Sequence, residues 1–217
     1  MKKLFCFLLL LPAACLNAQI GVKAGINFAN ITNASSVNGS SRSGFHVAVF
    51  LAPPSQSVMG SRTELSFSRQ GFNYGTGTNG GNVGLDYLTL GQYMSIRATK
   101  YIRILLGAQT SYLLNAKVDS SQASSGTGGY GKIMDYYNKI DVGYGGGLEI
   151  HPVSGFLIGA KFSISLSNLY KGYSSGNPGE APSFVPTVNV RNNLFQIFAG
   201  WEFGKQESKK KKKEVNQ

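Results

Sequence analysis

The chain has 217 residues, of which 42% are hydrophobic and only 14% are charged, and it contains 28 Gly and 11 Tyr. Soluble domains have about 25% charged residues, so the composition is unusual for one, and its glycine and tyrosine content favours strands and turns over helices. The formal net charge is +11, but two lysines open the chain and the tail, residues 205–217, holds six Lys and two Glu. Basic residues concentrated at the chain ends argue against a nucleic-acid partner.

The chain begins with the pattern of an export signal. Lys2 and Lys3 precede an apolar run at residues 4–11, and small residues before Gln19 form a cleavage site after Ala18. The run is shorter than the ~20 apolar residues that a membrane-spanning helix needs. We therefore predict that residues 1–18 are a cleaved signal peptide. Its removal takes away both cysteines of the sequence, so the mature protein would have no disulfide.

Eight segments downstream alternate apolar and polar residues with a period of two, as β-strands do. In residues 158–166, for example, Ile158 and Phe162 share one parity with Leu166, whereas Lys161 and Ser163 share the other. The predicted connections alternate between short turns and long polar loops, and the long ones are 30–43, 71–83, 115–138 (the longest) and 170–186.

An even number of strands joined in this way is typical of an outer-membrane barrel. We predict an all-β fold, an eight-stranded antiparallel up-and-down transmembrane β-barrel with short periplasmic turns and long extracellular loops. The barrel would occupy residues 19–204, and residues 205–217 would be a basic, disordered periplasmic tail.

The alternation alone also fits a soluble lipocalin-like barrel, in which the apolar parity would face inward. The polar parity, however, carries six charged residues at or near mid-strand: Lys23, Glu64, Asp141, Glu149, Lys161 and Glu202. Eight strands enclose a space that side chains just fill, and buried charges must be paired. We expect these residues to form an ion-pair network inside a membrane barrel. The network would be a polar plug or, alternatively, a gated path for ions or small solutes.

Aromatic residues near the predicted strand ends suggest two girdles at the membrane interfaces. On the turn side they are Tyr101, Phe156 and Trp201, and on the loop side they are Phe72, Tyr74, Tyr112, Tyr136 and Tyr170.

Five segments also resemble a known family: "GVKAGINFANI", "LDYLTL", "LLGAQTSYLL", "DVGYGGGLEI" and "GAKFSISLSNL". In this order and spacing they resemble the PorT-type outer-membrane β-barrel family of Bacteroidetes, over about residues 20–203. The resemblance implies an eight-stranded barrel in the bacterial outer membrane with both termini in the periplasm. It also implies that Trp201 and Phe203, at the end of the last strand, are read by the barrel assembly machinery.

The chain departs from the family pattern at three places. Gly91 stands where the family often has proline, Lys161 stands where it often has arginine, and a lysine-rich tail follows the final strand. The founding type is linked to a secretion and gliding apparatus, and these departures argue against transferring that role.

We expect no enzymatic activity, no metal and no cofactor. A lipid-modifying hydrolase would need Ser, His and a carboxylate together, but His46 is predicted to face the lumen and His151 lies in a turn at the other end. The favoured function is a structural or interaction scaffold acting through its long loops, and the alternatives are a narrow porin and, more distantly, a lipid-modifying enzyme. Expected partners are outer-membrane lipid, the assembly machinery and an envelope protein contacted by the loops or by the Lys-rich tail.

Overall fold

The structure of the protein is a computed structural model that describes residues 19–32, 39–53, 57–75, 81–120, 134, 136–171 and 189–203. The predicted signal peptide and the predicted tail both lie outside the described residues. The strands are β1 (Gln19–Ile31), β2 (Ser40–Ala52), β3 (Met59–Tyr74), β4 (Gly81–Arg97), β5 (Ile102–Ser120), β6 (Ile140–Ile150), β7 (Phe156–Ser165) and β8 (Asn192–Glu202).

Each strand pairs antiparallel with the next, and β8 pairs with β1 to close the barrel. The closing ladder runs from the pair Gly21 and Glu202 to the pair Ile31 and Asn192. The predicted topology, an eight-stranded antiparallel up-and-down barrel, is therefore confirmed. We call the end where β1 begins and β8 ends the turn side, because the connections 53–58, 98–101 and 151–155 lie there. The opposite end is the loop side.

The outer face of the barrel is a continuous apolar belt. Side chains of one parity on every strand point outward and stay exposed, among them Val22, Ile26, Phe45, Val47, Leu65, Leu90, Leu106, Leu148, Phe162 and Ile197. A soluble monomer exposes apolar patches of only a few hundred Å², whereas this belt surrounds the molecule. The apolar parity therefore faces outward, and the lipocalin-like alternative with apolar residues inside is wrong for the middle of the barrel.

Among the described residues, no helix combines the length and the apolar character needed to cross a membrane.

Several strands continue into segments that the sequence predicted to be loops. Residues 71–83 were expected to be a loop, but β3 and β4 stay paired as far as Tyr74 and Gly81. β5 likewise continues to Ser120, past a bulge that shifts the register between Asp86 and Tyr87 on β4. The predicted loop at 115–138 therefore begins with strand residues, and most of the rest of it lies outside the described residues.

The strand extensions enclose an apolar core at the loop side, which we call the loop-side cluster. Its buried members are Ile31, Phe72, Tyr74, Val83, Leu85, Tyr87, Leu113, Ala116, Val118, Tyr137, Leu169, Tyr170 and Val190. The outer face of the same region carries Arg69, Asn82 and Lys117. The polarity of the barrel is thus inverted at the loop side, where apolar side chains face inward as in a water-soluble barrel.

This inversion corrects the predicted loop-side girdle. Phe72, Tyr74 and Tyr170 belong to the loop-side cluster and are buried, while Tyr136 packs against it. Tyr112 is exposed on the outer face, as an interfacial residue would be. The alternation predicted which residues share a face, but it did not show that the chemistry of the two faces exchanges where the strands leave the membrane.

The barrel interior as candidate functional site

The centre of the interior is a carboxylate shared by two lysines. Glu64 on β3 lies 2.7 Å from Lys23 Nζ of β1 and 3.0 Å from Lys161 Nζ of β7. All three side chains are almost completely buried. Lys161 also donates to the hydroxyl of Tyr93 at 3.1 Å, and Tyr93 donates in turn to Gln109 at 3.0 Å. Lys23 lies over an aromatic ring of β8, which supplies a further favourable contact for the ammonium.

A second group of buried charges lies nearer the turn side. Arg62 on β3 forms an ion pair with Glu149 of β6, and its guanidinium lies 4.3 Å above the ring of Phe50. Arg103 on β5 forms a longer ion pair, 3.3 Å, with Glu202 of β8. His151 stands between the two pairs, 3.5 Å from Glu149 and 4.0 Å from Glu202. The group therefore crosses the interior from β3 to β8.

A layer of neutral polar side chains follows on the loop side of Glu64. His46 Nδ1 is 2.8 Å from Asn27 Oδ1, which also accepts a hydrogen bond from Gln196 at 2.8 Å. Asn27 donates to Ser68 at 3.0 Å, and Gln70 donates to the same hydroxyl. These amides and hydroxyls satisfy one another, as buried polar groups must.

The six predicted lumen charges all lie on the inner face, but their pairing differs from the prediction. Only Glu64 meets the two lysines, whereas Glu149 and Glu202 pair with the arginines 62 and 103. Asp141 accepts a hydrogen bond from Ser165 instead of pairing with a lysine. Together, the six predicted residues and these two arginines are four cations and four carboxylates.

Sequence reasoning missed Arg62, Arg103 and His151 as members of the site. Arg62 shares the parity of Glu64, so extending that strand by two residues would have revealed it. Arg103 stood on the polar parity of its segment but was not counted with the lumen charges. His151 was assigned to a turn, which is correct for its backbone, yet its side chain is buried between two carboxylates.

Two glycines on the inner face make room for the large rings of the site. A Cβ at Gly21 would lie 2.0 Å from the ring of Phe50, and one at Gly91 would lie 2.4 Å from the ring of Tyr93. Any side chain at these positions would therefore displace a ring from the interior. Gly91, one of the departures from the resembled family, is explained by this contact with Tyr93.

Apolar residues pack against the polar layers in two places. On the turn side, Phe50, Ala52, Leu157 and Phe198 form a small buried cluster. On the loop side, Tyr137 and Tyr170 stack with their ring centroids 4.7 Å apart, within the loop-side cluster. Burial raises the pKa of both phenols, so they remain neutral at physiological pH. The polar layers are thus covered by apolar side chains on the loop side, and aromatic rings pack among the charged groups nearer the turn side.

Comparison with known proteins identifies the architecture. The family described as "Outer membrane protein beta-barrel domain" matches residues 12–171. The chain belongs to this family. Membership places this outer-membrane barrel in the bacterial outer membrane, with its apolar belt in lipid. No curated protein matches the sequence.

Two solved structures share the fold of this family member. Ail, the attachment invasion locus protein of Yersinia pestis, is similar with 17% identity and a TM-score of 0.50, covering 87% of this chain and 100% of Ail. Neisserial surface protein A is similar with 14% identity and a TM-score of 0.55, covering 85% of this chain and 97% of that protein. At such identities the likeness concerns the fold alone.

The described part of this outer-membrane barrel holds no group of three or more His, Cys, Asp or Glu side chains placed to bind a metal ion. The residues predicted to carry the assembly signal, Trp201 and Phe203, are both exposed on the outer face at the turn side. Trp201 lies near Phe156 of the neighbouring strand, with ring centroids 6.4 Å apart.

Proposed function

We propose that this outer-membrane barrel is a non-enzymatic structural or interaction scaffold whose interior is closed and whose loops make the functional contacts. The observation that best supports this proposal is that side chains fill the interior. Phe50, Leu157, Arg62, Glu149 and Glu64 with its two lysines together fill the interior with almost no exposed surface. Loops carry function on rigid scaffolds, and a filled barrel provides a rigid one.

A narrow porin is the second candidate, and one observation favours it. Buried polar atoms at several levels have no hydrogen-bond partner within the described residues, including Arg62 Nη2, Ser163 Oγ and Glu202 Oε1. Such atoms in native proteins commonly bind internal water. A continuous file of water along the inner face would be the start of a path for protons or small ions.

Single-channel recording distinguishes the two functions. The protein would be refolded, its insertion verified by a shift in gel mobility on boiling, and its conductance measured in a planar bilayer. We expect a silent bilayer. Discrete openings whose size changes with Lys161→Met or Glu149→Gln would overturn the scaffold proposal in favour of the porin, because these variants alter the interior without changing the loops.

The finer assignments are part of the same proposal. We infer that the barrel is of the PorT type, supported by the five resembled segments, and that a signal peptide at residues 1–18 is cleaved on export. Its partners would be an envelope protein, bound through the loops or the Lys-rich tail, and the barrel assembly machinery, which would read Trp201 and Phe203. Loss of outer-membrane assembly on truncation before Trp201 would support the last point.

The distant alternative, a lipid-modifying enzyme, has less support. A nucleophile needs a base oriented by a third group, but the ring of His46 is held by the carboxamide of Asn27 and packs against Phe198. His46 is also enclosed by the barrel wall, away from lipid. Unchanged lipid A in cells expressing the wild type and His46→Ala would agree with the scaffold.

A further inference from the structure

A pocket of about 230 Å³ opens on the outer face near the loop-side ends of β2 to β5. It is distinct from the interior, because its lining residues on β3, β4 and β5 have the outward parity of those strands. The lining residues are Arg42, Arg69, Asn82, Gly84, Asp86 and Lys117. We call it the basic pocket.

Gly84 forms the floor of the basic pocket, and its partner across the ladder is also a glycine. Gly71 of β3 is opposite Gly84 of β4 in the ladder, so the outer face is bare at this point of the sheet. Gly71 has a φ of +142°, a conformation that other residues rarely adopt. The guanidinium of Arg42 reaches across from β2, and a Cβ at Gly84 would lie only 2.8 Å from its Nη1. The floor therefore presents a cation above exposed backbone.

The charges of the basic pocket do not balance. Arg69 donates twice to Asp86, at 2.7 and 3.3 Å, and Asn115 donates to the same carboxylate. Arg42 and Lys117 form no ion pair within 4.0 Å of any residue that the structure describes, although Lys117 interacts with Asp86 at longer range. With three cations and one carboxylate, the recess has two net positive charges and room for a small anion.

The basic pocket lies where the apolar belt ends. Arg69 is 5.4 Å from the ring of Phe45, which is part of the belt. Phe67 and Leu88, each two residues further into the membrane on β3 and β4, line an apolar groove of about 740 Å³ on the lipid-facing surface. A group bound in the pocket would be at the depth of lipid headgroups, with its apolar part beside this groove. In outer-membrane barrels the loop side faces the outer leaflet.

We propose that the basic pocket binds a phosphate group of an outer-leaflet lipid, with an acyl chain lying in the upper end of the groove. Guanidinium groups bind phosphate oxygens with geometric specificity, and lysine adds a point charge. Asp86 holds Arg69 in place, and Arg42 and Lys117 line the same recess. The proposal adds a ligand site on the outer wall to the scaffold function and does not depend on whether the interior conducts.

The test is a titration of the protein, refolded in detergent, followed by native mass spectrometry. The probes are lipid A carrying both phosphates, the same lipid A after dephosphorylation, and inorganic phosphate. The variant Arg42→Gln/Lys117→Gln removes the two available charges. The matched control, Lys139→Gln/Lys171→Gln, removes two exposed loop-side lysines that do not line the pocket. A third variant, Gly84→Leu, fills the floor while keeping every charge.

We expect phosphorylated lipid A to bind at least about tenfold more tightly than the dephosphorylated form, since each basic residue near the surface contributes about fivefold. The pocket variant and Gly84→Leu would lose this preference, and the control would keep it. Equal binding of both lipids, or equal losses in the pocket variant and the control, would overturn the proposal. Inorganic phosphate binding as tightly as the lipid would assign the pocket to a free anion instead.

Discussion

Replacement of Glu64 by glutamine tests the central ion pair of the interior. The substitution keeps the shape of the side chain but removes the one carboxylate that lies within 3.0 Å of both Lys23 and Lys161. Removing one partner of a buried ion pair costs about 3–5 kcal/mol, because it leaves an uncompensated buried charge. Here two ammonium groups lose their partner at once.

Other contacts limit the additional cost. Lys161 keeps its hydrogen bond to Tyr93, and Lys23 keeps its place 4.0 Å above the ring of Phe198. Hydrogen bonds to charged groups contribute about 1.5–3 kcal/mol, and a desolvated cation–π contact contributes about 2 kcal/mol. We therefore expect Glu64→Gln to lower the free energy of unfolding by about 3–5 kcal/mol in total. Adding Lys161→Met to this variant should recover at least about 1 kcal/mol, since it removes one of the unpaired charges.

The assay is urea unfolding of the refolded barrel in lipid vesicles, followed by tryptophan fluorescence and by gel mobility. Trp201 is the only tryptophan of the chain and is exposed on the outer face, so its emission reports insertion. The matched control is Asp86→Asn, which removes the carboxylate from an ion pair whose arginine is 46% exposed. Such a pair contributes about 0–1 kcal/mol. Equal destabilisation by both variants, or no recovery in the double variant, would refute the argument.

Three further results are expected. Gly91→Val should displace the ring of Tyr93 from the interior and destabilise the barrel by about 1–3 kcal/mol. The control Gly146→Val, on the outer face, should be tolerated. An equal shift in gel mobility on boiling for the two variants would contradict the packing argument. Tyr137→Ala should cost about 3–5 kcal/mol and expose the loop side to protease, and unchanged protection would show that this ring does not close the loop-side cluster. Leu90→Lys, in the apolar belt, should lower the free energy of unfolding by about 2–4 kcal/mol. Asn82→Lys, near the loop side, should lower it little. Similar urea midpoints for the two variants in vesicles would show that the membrane does not surround the apolar belt.

Much of the fold could be predicted because the alternation of apolar and polar residues along a strand shows which side chains share a face. The segment from Ile158 to Leu166 alternates almost without interruption, and β7 covers most of it. Strand ends were less predictable. Gly71 and Gly75 are typical loop residues in the sequence, yet Gly71 lies within β3. The β3–β4 ladder continues on both sides of Gly71 and accommodates its positive φ.

The site was predictable in its members more than in its contacts. Parity places Lys23, Glu64 and Lys161 on the inner face, but it does not give the stagger between strands, which decides that one carboxylate meets both lysines. The same stagger brings Arg103 of β5 to Glu202 of β8, two residues on strands that are not neighbours in the sheet. Contacts across the lumen could therefore be identified only from the structure of the closed barrel.

The inverted polarity of the loop side has a consequence for how the protein reaches its final state. During assembly the loop side has to traverse the hydrocarbon, and there its outward Arg42, Arg69 and Lys117 are costly. The inward residues of the loop-side cluster can bury one another only after the strands have emerged into water on the far side. We therefore expect packing of this cluster to be the last event of insertion. Once packed, the loop-side cluster would oppose the return of Arg42, Arg69 and Lys117 through the membrane. The barrel would then stay in one orientation.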